Sequence, residues 1–326
     1  MNRPGIAAVI PVHNRLDLLD RLLATIRAQT VPFSEIILVD NFSGACLDPG
    51  CTVISMGENA GFARAVNRGW RAASAEWIAI LNSDVELDPR WAERLLEAAG
   101  EASFATGTIL SAADSSRIDG SYDLMSRAAC AWRAGYGEPD TGGQRAPIAV
   151  APGTACLFRR DVLMRLGGFD ETFESYLEDV DLGLRCLREG LGGVYVPGAV
   201  AWHHGSATFG RWNPAVVRLI SRNQMLLVGR HYDRALFQSC FWPIVVGQLL
   251  WGAVALRHGA FGAWLTGKWQ ALRSFRLEGH PTPEFRAFLA ASEAEIRRRS
   301  RDPYWRWYFR LTFRPHPDGP LRRMDT

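Results

Sequence analysis

The chain has 326 residues, 48% of them hydrophobic and 22% charged, an ordinary globular composition long enough for a large domain and an appendage. Residues 1–5 carry no apolar signal core, so no secretory signal peptide is expected; the six cysteines form no CxxC pair, and Cys46 and Cys51 have no histidine near them, so free thiols are expected rather than zinc. The net charge of +3 is unevenly spread: residues 206–326 hold 19 Lys/Arg against 8 Asp/Glu, while the remainder holds 18 against 26. A basic, aromatic-rich back half suits an anionic surface, either lipid or nucleic acid.

"IAAVIPVHN" (residues 6–14) reads as a short buried strand running into a polar turn. Leu16, Leu19, Leu22, Leu23 and Ile26 then recur at helical spacing. "EIILVDN" (35–41) is a second buried strand ending in a carboxylate, Asp40, and "TVISM" (52–56) a third. "AGFARAVNRGWRAA" (60–73) is helical, and "WIAIL" (77–81) is a fourth strand. Alternating strand and helix predicts an α/β fold with a largely parallel sheet and helices on both faces. Ligands bind such sheets beyond the carboxyl ends of the strands, where Asp40 and Asp84 fall. GxGxxG after the first strand and GxxxxGK[ST] are both missing, which disfavours a dinucleotide enzyme or a P-loop NTPase.

Residues 111–149 are polar and Gly-rich, and predict loops and short strands over the site. Residues 151–173 predict a strand, a short helix and a Gly-rich loop. "LEDVDLGLRCLREG" (177–190) predicts a helix with Leu177, Val180, Leu184 and Leu187 on one stripe and Gly190 at its C-cap. "GVYVPGAVAWHHGS" (193–206) predicts a strand leading to two histidines. "ALFQSCFWPIVVGQLLWGAVAL" (235–256) is apolar over nearly the length of about 20 residues that a bilayer span needs. Gln238, Ser239, Pro243 and Gln248 interrupt it, so interfacial docking is expected rather than spanning.

Three constellations carry chemistry. After "WIAIL", the stretch "NSDVELDPRW" turns acidic at once. Glu86 and Asp88 suit the start of a helix near Pro89, whereas Asp84 lies too early for that and is a candidate metal ligand. Glu178, Asp179 and Asp181 crowd the first turns of one helix. They complement its dipole, but three acids there also repel, and crowding raises a carboxylate's pKa as a general base requires. His203 and His204 end a strand, where imidazole is either solvated and packed or a ligand for a divalent cation.

The ordered set "VIPVHNR", "EIILVDNFS", "ENAGFARAVNRG", "ILNSDVEL", "GGFDETFESYLEDVDLGLR" and "VAWHHGSA" resembles glycosyltransferase family 2, across about residues 5–230. The closest likeness is to rhamnosyltransferase-type members. The resemblance implies the GT-A fold: Rossmann-like, with a mostly parallel central sheet flanked by helices. Residues 1–205 would form this domain, and residues 206–326 a helical, membrane-associating extension. Pro11, His13, Asn14 and Arg15 would edge the nucleotide pocket, and Asp40 would accept from the base or ribose. Asn59, Gly61, Phe62 and Asn67 would line the nucleotide and sugar side. "NSD" stands where the family often has Asp-x-Asp, so Asn82 replaces the first acid beside Ser83, and Asp84 is left to bind Mg2+ or Mn2+ with His203 or His204. Asp179 would be the base, Glu178 would position the acceptor, and Asp181 would anchor the helix.

The activity implied is inverting transfer of rhamnose or a similar hexose from a nucleotide-diphosphate donor. The acceptor would be lipid-linked or a glycan, in cell-envelope synthesis on the cytoplasmic face of the inner membrane. A catalytically weak membrane scaffold on the same fold would lose Asp84 or Asp179, yet both are present. A nucleic-acid binder would use the aromatic–arginine mixing for stacking; the adjoining apolar segment favours the membrane instead.

Overall fold

The computed structural model describes residues 4–13, 16–44, 48, 50–205 and 212–312. The front half runs β1 (Ile6–Val12), α1 (Leu16–Arg27), β2 (Glu35–Asp40), β3 (Thr52–Ser55), α2 (Phe62–Ala72), β4 (Trp77–Leu81), β5 (Val85–Leu87), α3 (Trp91–Ala99) and β6 (Phe104–Ser111). Short strands follow: β7 (Ile118–Gly120), β8 (Asp123–Met125), β9 (Ala131–Arg133) and β10 (Ala146–Ile148). Then come β11 (Ala155–Arg159), α4 (Arg160–Leu166), a 3-10 turn (Glu171–Phe173), α5 (Glu178–Arg188) and β12 (Gly193–His203). The back half is helical: α6 (Pro214–His231), α7 (Arg234–Arg257), α8 (Phe261–Arg273), α9 (Pro283–Arg299) and α10 (Pro303–Thr312).

The main sheet has the order β10-β12-β6-β11-β4-β1-β2-β3, with β5 added to β12 and β7 to β6. Strands β3, β2, β1 and β4 run parallel, as do β6 and β12, while β11 and β10 run against them. Both faces of β4 are covered, which is why "WIAIL" is an unbroken apolar run buried along its length. Helix α1 packs one face through Leu18, Leu19, Leu22, Leu23 and Ile26. Helix α2 covers the other with Ala63, Val66 and Trp70.

One strand goes unread in the sequence, and two expectations change in detail. Strand β6, "FATGTILS", sits between β12 and β11 near the centre of the sheet, although its small and polar residues hid it from an apolar-run reading. Helix α3 starts at Trp91, two residues after Pro89, so Pro89 precedes the helix. Glu86 belongs to β5 and leaves the helix start to Asp88, whose Oδ1 accepts from the Arg90 N–H at 2.9 Å.

Of the interruptions of α7, Pro243 and Gln248 turn inward, while Gln238 and Ser239 are exposed. Gln248 is buried; its Nε2 donates to the Ala128 carbonyl at 2.8 Å, and its Oε1 accepts from Lys268 of α8. The Lys268 ammonium also donates to the Ser221 carbonyl at 2.7 Å and to Gln224 Oε1 at 3.2 Å on α6. Leu236, Cys240 and Ile244 on the same side of α7 join a core with Val180 and Leu184 of α5. Phe241, Trp242, Leu249 and Leu256 face outward. Among the described residues α7 alone is long and apolar enough to cross a membrane.

The 205/206 boundary adjoins residues 206–211, which lie outside the described set. The cysteines Cys51, Cys130, Cys156, Cys186 and Cys240 are free thiols, as expected; Cys46 lies outside the described residues.

Candidate active site

Strands β1 and β2 end in register, Val12 opposite Asp40, and bring two turns together. His13 Nδ1 lies 2.9 Å from the Asn41 carbonyl, and Asn59 Nδ2 lies 3.3 Å from His13 Nε2. A carbonyl can only accept, so Nδ1 carries the proton and Nε2 accepts from Asn59. Asn41, which is buried, completes the link by donating to Asn59 Oδ1 at 3.1 Å and accepting from the Ala60 N–H at 2.8 Å. Asp40 Oδ1 accepts from both the N–H and the hydroxyl of Ser43 at 2.7 Å. Pro11 sits in the last turn of β1 opposite Val39. Asn14 and Arg15 lie outside the described residues.

Asn67 has a different place from the one expected. It is buried, its Nδ2 donates to the Phe169 carbonyl and to Glu171, and its Oδ1 accepts from Trp70 and the Phe169 N–H. All four groups of the amide's hydrogen-bonding capacity are spent inside the protein, so Asn67 clamps α2 to the 169–171 turn and does not face the sugar.

Asp84 follows β4 and immediately precedes β5. Because β5 pairs antiparallel with β12, Val85 opposite His203, Asp84 meets the end of β12. Consecutive residues of a strand point to opposite faces, and this separates the two histidines. His203 Nε2 lies 3.3 Å from Asp84 Oδ1, while its Nδ1 lies 2.8 Å from Asp119 Oδ2 on β7. His204 turns away, with Nε2 2.7 Å from Glu86 Oε1. The structure thus brings the side chain of His203, and not that of His204, to the Asp84 carboxylate, although the His204 N–H donates to the Asp84 carbonyl at 3.0 Å. Asp119 also accepts from Arg133 of β9 at 3.1 Å. Burial works against charge on His203, but its hydrogen bonds to Asp119 and Asp84 push its pKa up to about 9. Asn82 N–H donates to the Thr154 carbonyl at 2.9 Å, placing the half-buried Asn82 and Ser83 beside β11 at the same strand ends.

Asp84 and, once a cation displaces the proton from its Nε2, His203 are an oxygen and nitrogen donor pair suited to a divalent cation, and a carboxylate on the far ring nitrogen is the usual support of a metal-binding histidine. Among the described residues no three His, Cys, Asp or Glu side chains form a closed site. A pair would leave positions for diphosphate oxygens and water, as suits Mg2+ or Mn2+.

The acidic helix lies opposite. Glu174, Tyr176 and Leu177 all adopt positive φ, 60°, 70° and 69°, just before α5. Such a run persists only where its surroundings hold it. Asn223 of α6 supplies one hold: its Nδ2 donates to the carbonyls of Phe173, Ser175 and Tyr176 at 2.8, 2.9 and 2.7 Å. Arg222 donates to the Thr172 and Phe173 carbonyls and pairs with the Glu174 carboxylate. From the other side, the Ser175 hydroxyl accepts from the Phe62 N–H at 3.0 Å, and a Cβ on Gly61, whose φ is +83°, would come within 2.8 Å of the Glu174 carbonyl oxygen. Gly61 is therefore needed for close approach and for its conformation. Asn223→Ala is expected to leave buried carbonyls unsatisfied, lowering stability by about 1–3 kcal/mol or more and turnover with it. A variant with a normal urea midpoint and normal turnover would show that the loop holds itself.

Asp179 Oδ2 accepts from the Gly153 N–H at 2.9 Å, and Gly153 packs against the Phe62 ring. Glu178 is buried, and its Oε2 takes no hydrogen bond from a described residue. Burial first, then Asp179, raises the Glu178 carboxyl well above its usual range. Asp123 of β8 is a further acid here: burial first, then Asp179, lifts it to about 8. Asp181 is the anchor expected. Burial opposes its charge, but His231 at 2.9 Å and Arg185 at 2.8 Å outweigh that and lower its pKa.

A crystal structure of GalNAc-T7 with UDP, GalNAc and Mn2+ matches the fold at a TM-score of 0.57 and 14% identity, over 85% of this chain and 59% of that one. The mannosyltransferase PcManGT from Pyrobaculum calidifontis, in complex with GDP-Man and Mn2+, matches at 0.50 and 17%, over 94% and 84%. The sheet and its flanking helices are thus those of a GT-A glycosyltransferase. The family model of glycosyl transferase family 2 matches residues 7–167. N-acetylglucosaminyl-diphospho-decaprenol L-rhamnosyltransferase of Mycobacterium tuberculosis is 28% identical over 274 residues, 73% of this chain and 87% of its relative. Residues 7–167 thus resemble glycosyl transferase family 2, and the chain is a glycosyltransferase, similar to rhamnosyltransferases.

Proposed function

We propose that this glycosyltransferase moves rhamnose or a similar hexose from a nucleotide-diphosphate donor to a hydroxyl of a lipid-linked acceptor, inverting the anomeric centre. The observation that carries the reading is the Gly153–Thr154 stretch: the Gly153 N–H donates to Asp179 Oδ2 at 2.9 Å, and the adjoining Thr154 carbonyl accepts at 2.9 Å from the N–H of Asn82, two residues before Asp84. One short stretch thus ties the carboxylate side to the cation side.

His13, Asn59 and Asp40 edge the donor's nucleotide at the ends of β1 and β2. Asp84 and His203 would hold a divalent cation, which would supply Lewis-acid neutralisation of the departing diphosphate's charge. Asp179 takes the proton of the acceptor hydroxyl as that oxygen bonds to the anomeric carbon and the bond to the diphosphate oxygen breaks. Glu178, whose carboxyl burial raises well above its usual range, offers Oε2 to the acceptor. One displacement needs no carboxylate nucleophile.

The acceptor class is supported by the relative whose name specifies a diphospho-decaprenol substrate, and by the back half of this chain. Phe241, Trp242, Leu249 and Leu256 of α7 and Phe261, Leu265, Trp269 and Leu272 of α8 are exposed. Arg273 lies 5.3 Å from the Trp269 ring centroid. Exposed tryptophan, leucine and arginine on two adjacent helices fit an interfacial membrane surface. We place the enzyme on the cytoplasmic face of the inner membrane, docked rather than spanning, because the opposite side of α7 is committed to the protein core.

The test is a transfer assay with the full chain, Mn2+ or Mg2+, a panel of nucleotide-sugars and N-acetylglucosaminyl-diphospho-polyprenol. Acceptor-stimulated release of the nucleoside diphosphate and an inverted product are expected. A retained anomer, or no turnover with any donor, would overturn the reading.

A further inference from the structure

We propose that the cavity between α9 and α10 is a seat for the phosphate headgroup of an anionic bilayer phospholipid, separate from the acceptor site. The inference rests on the membrane docking proposed above. The cavity holds about 340 Å³ and is lined by Arg297, Arg306 and Arg310 over Ile296, Trp305 and Phe309. Among the described residues no Asp or Glu lines it. Arg306 and Arg310 stand four apart on one helix, an arrangement that like charges disfavour unless an anion lies between them. Neighbouring Arg299 shows the contrast, being paired with Glu138 and Glu295. No described carboxylate pairs with Arg306 or Arg310.

The ligand's chemistry follows from the floor and the rim. Guanidinium groups bind phosphate through planar, charge-assisted hydrogen bonds. Phe309 is partly exposed over the buried Ile296 and Trp305, so the floor is apolar and Phe309 would meet glycerol and the first acyl carbons. The same burial denies Trp305 to a stacked base, which argues against RNA or DNA as the occupant. The rim also continues into the exposed apolar surface. Arg310 lies 5.1 Å from the ring centroid of Trp307, and Trp307 and Leu311 are half exposed on the outer side of α10. Trp242 of α7 donates to the Leu311 carbonyl at 2.9 Å, joining α10 to the outer face of α7. A lipid whose phosphate sits among the arginines would thus have its tails beside the surface proposed to meet the bilayer.

The experiment compares the full chain with an R306Q/R310Q variant on vesicles of phosphatidylcholine alone and on vesicles with equal parts of phosphatidylglycerol. A third arm titrates soluble dihexanoyl-phosphatidylglycerol, and inorganic phosphate, against tryptophan fluorescence. The wild type is expected to bind the anionic vesicles more tightly and to respond to the short lipid. The variant should lose about 25-fold of the anionic preference, roughly fivefold per arginine, and the short-lipid response, while keeping its melting temperature and its binding to neutral vesicles. Equal recruitment of variant and wild type to anionic vesicles would overturn the pocket and leave the docking surface standing. A wild type that ignores all vesicles yet binds the short lipid through Arg306 and Arg310 would overturn the docking and keep the headgroup site. Inorganic phosphate binding as tightly as the short lipid would overturn the lipid assignment.

Discussion

Asp179→Asn is expected to lower turnover by roughly a hundredfold or more while donor affinity stays near wild type. The substitution preserves the shape of the side chain. An asparagine oxygen can still accept from the Gly153 N–H, as Asp179 Oδ2 does at 2.9 Å. What it removes is the capacity to take a proton from the acceptor hydroxyl. The neighbouring acids serve as internal controls. Burial, then Asp179, raises the Glu178 carboxyl well above its usual range, which disfavours the carboxylate form that a base must start from. Asp181 is committed to His231 and Arg185. Asp181→Asn should therefore act mainly on stability, measurable as a lower melting temperature. Single-turnover rates and donor titrations on both variants decide the assignment. A fully active Asp179→Asn enzyme beside an inactive but folded Asp181→Asn enzyme would mean that the proton goes elsewhere.

Asp84→Ala should abolish measurable transfer and weaken donor binding in the presence of Mn2+, with little change in its absence. Asp84 is buried and contacts His203 directly, so its removal takes away the oxygen ligand of the pair. Asp119→Asn probes the same pair from behind. Asp119 holds His203 Nδ1 at 2.8 Å, which leaves Nε2 facing Asp84. Loss of such a supporting carboxylate commonly costs about 10–100-fold in metal affinity. Manganese binding measured by electron paramagnetic resonance reads this without any assay of activity. Full activity in EDTA, or unchanged manganese affinity in both variants, would remove the metal from this site.

The parts of this enzyme that depend on apolar periodicity were readable from the residues alone. The runs ending at Asp40 and Leu81 became parallel strands, and the Leu19–Leu22–Ile26 spacing became α1. The acids and histidines stood out because charge at the end of an apolar run is conspicuous. Asp119, Asp123 and Arg133 did not stand out, because they lie on three-residue strands within a Gly-rich stretch that has no period. Which histidine meets Asp84 was also hidden, since it depends on the register of β5 against β12, a pairing between segments more than a hundred residues apart. Asn223 and Arg222 were concealed for another reason. They belong to a helix whose composition reads as part of an appendage, and only the fold shows them reaching the loop before α5.

That reach has a bearing on how the enzyme could be re-engineered. The matched family segment ends at residue 167, before α5 and well before α6. The loop that presents Asp179 takes its shape from Asn223 and Arg222, so the front portion is not a self-contained cassette. A chimaera joined between α5 and α6, with another glycosyltransferase's residues in front, would place a foreign loop beneath an amide tuned to the carbonyls of Phe173, Ser175 and Tyr176. Exchanging sugar specificity here would therefore mean transplanting the loop and α6 together. The outward side chains of α7 and α8 could instead be rewritten to make the protein more soluble without disturbing that joint.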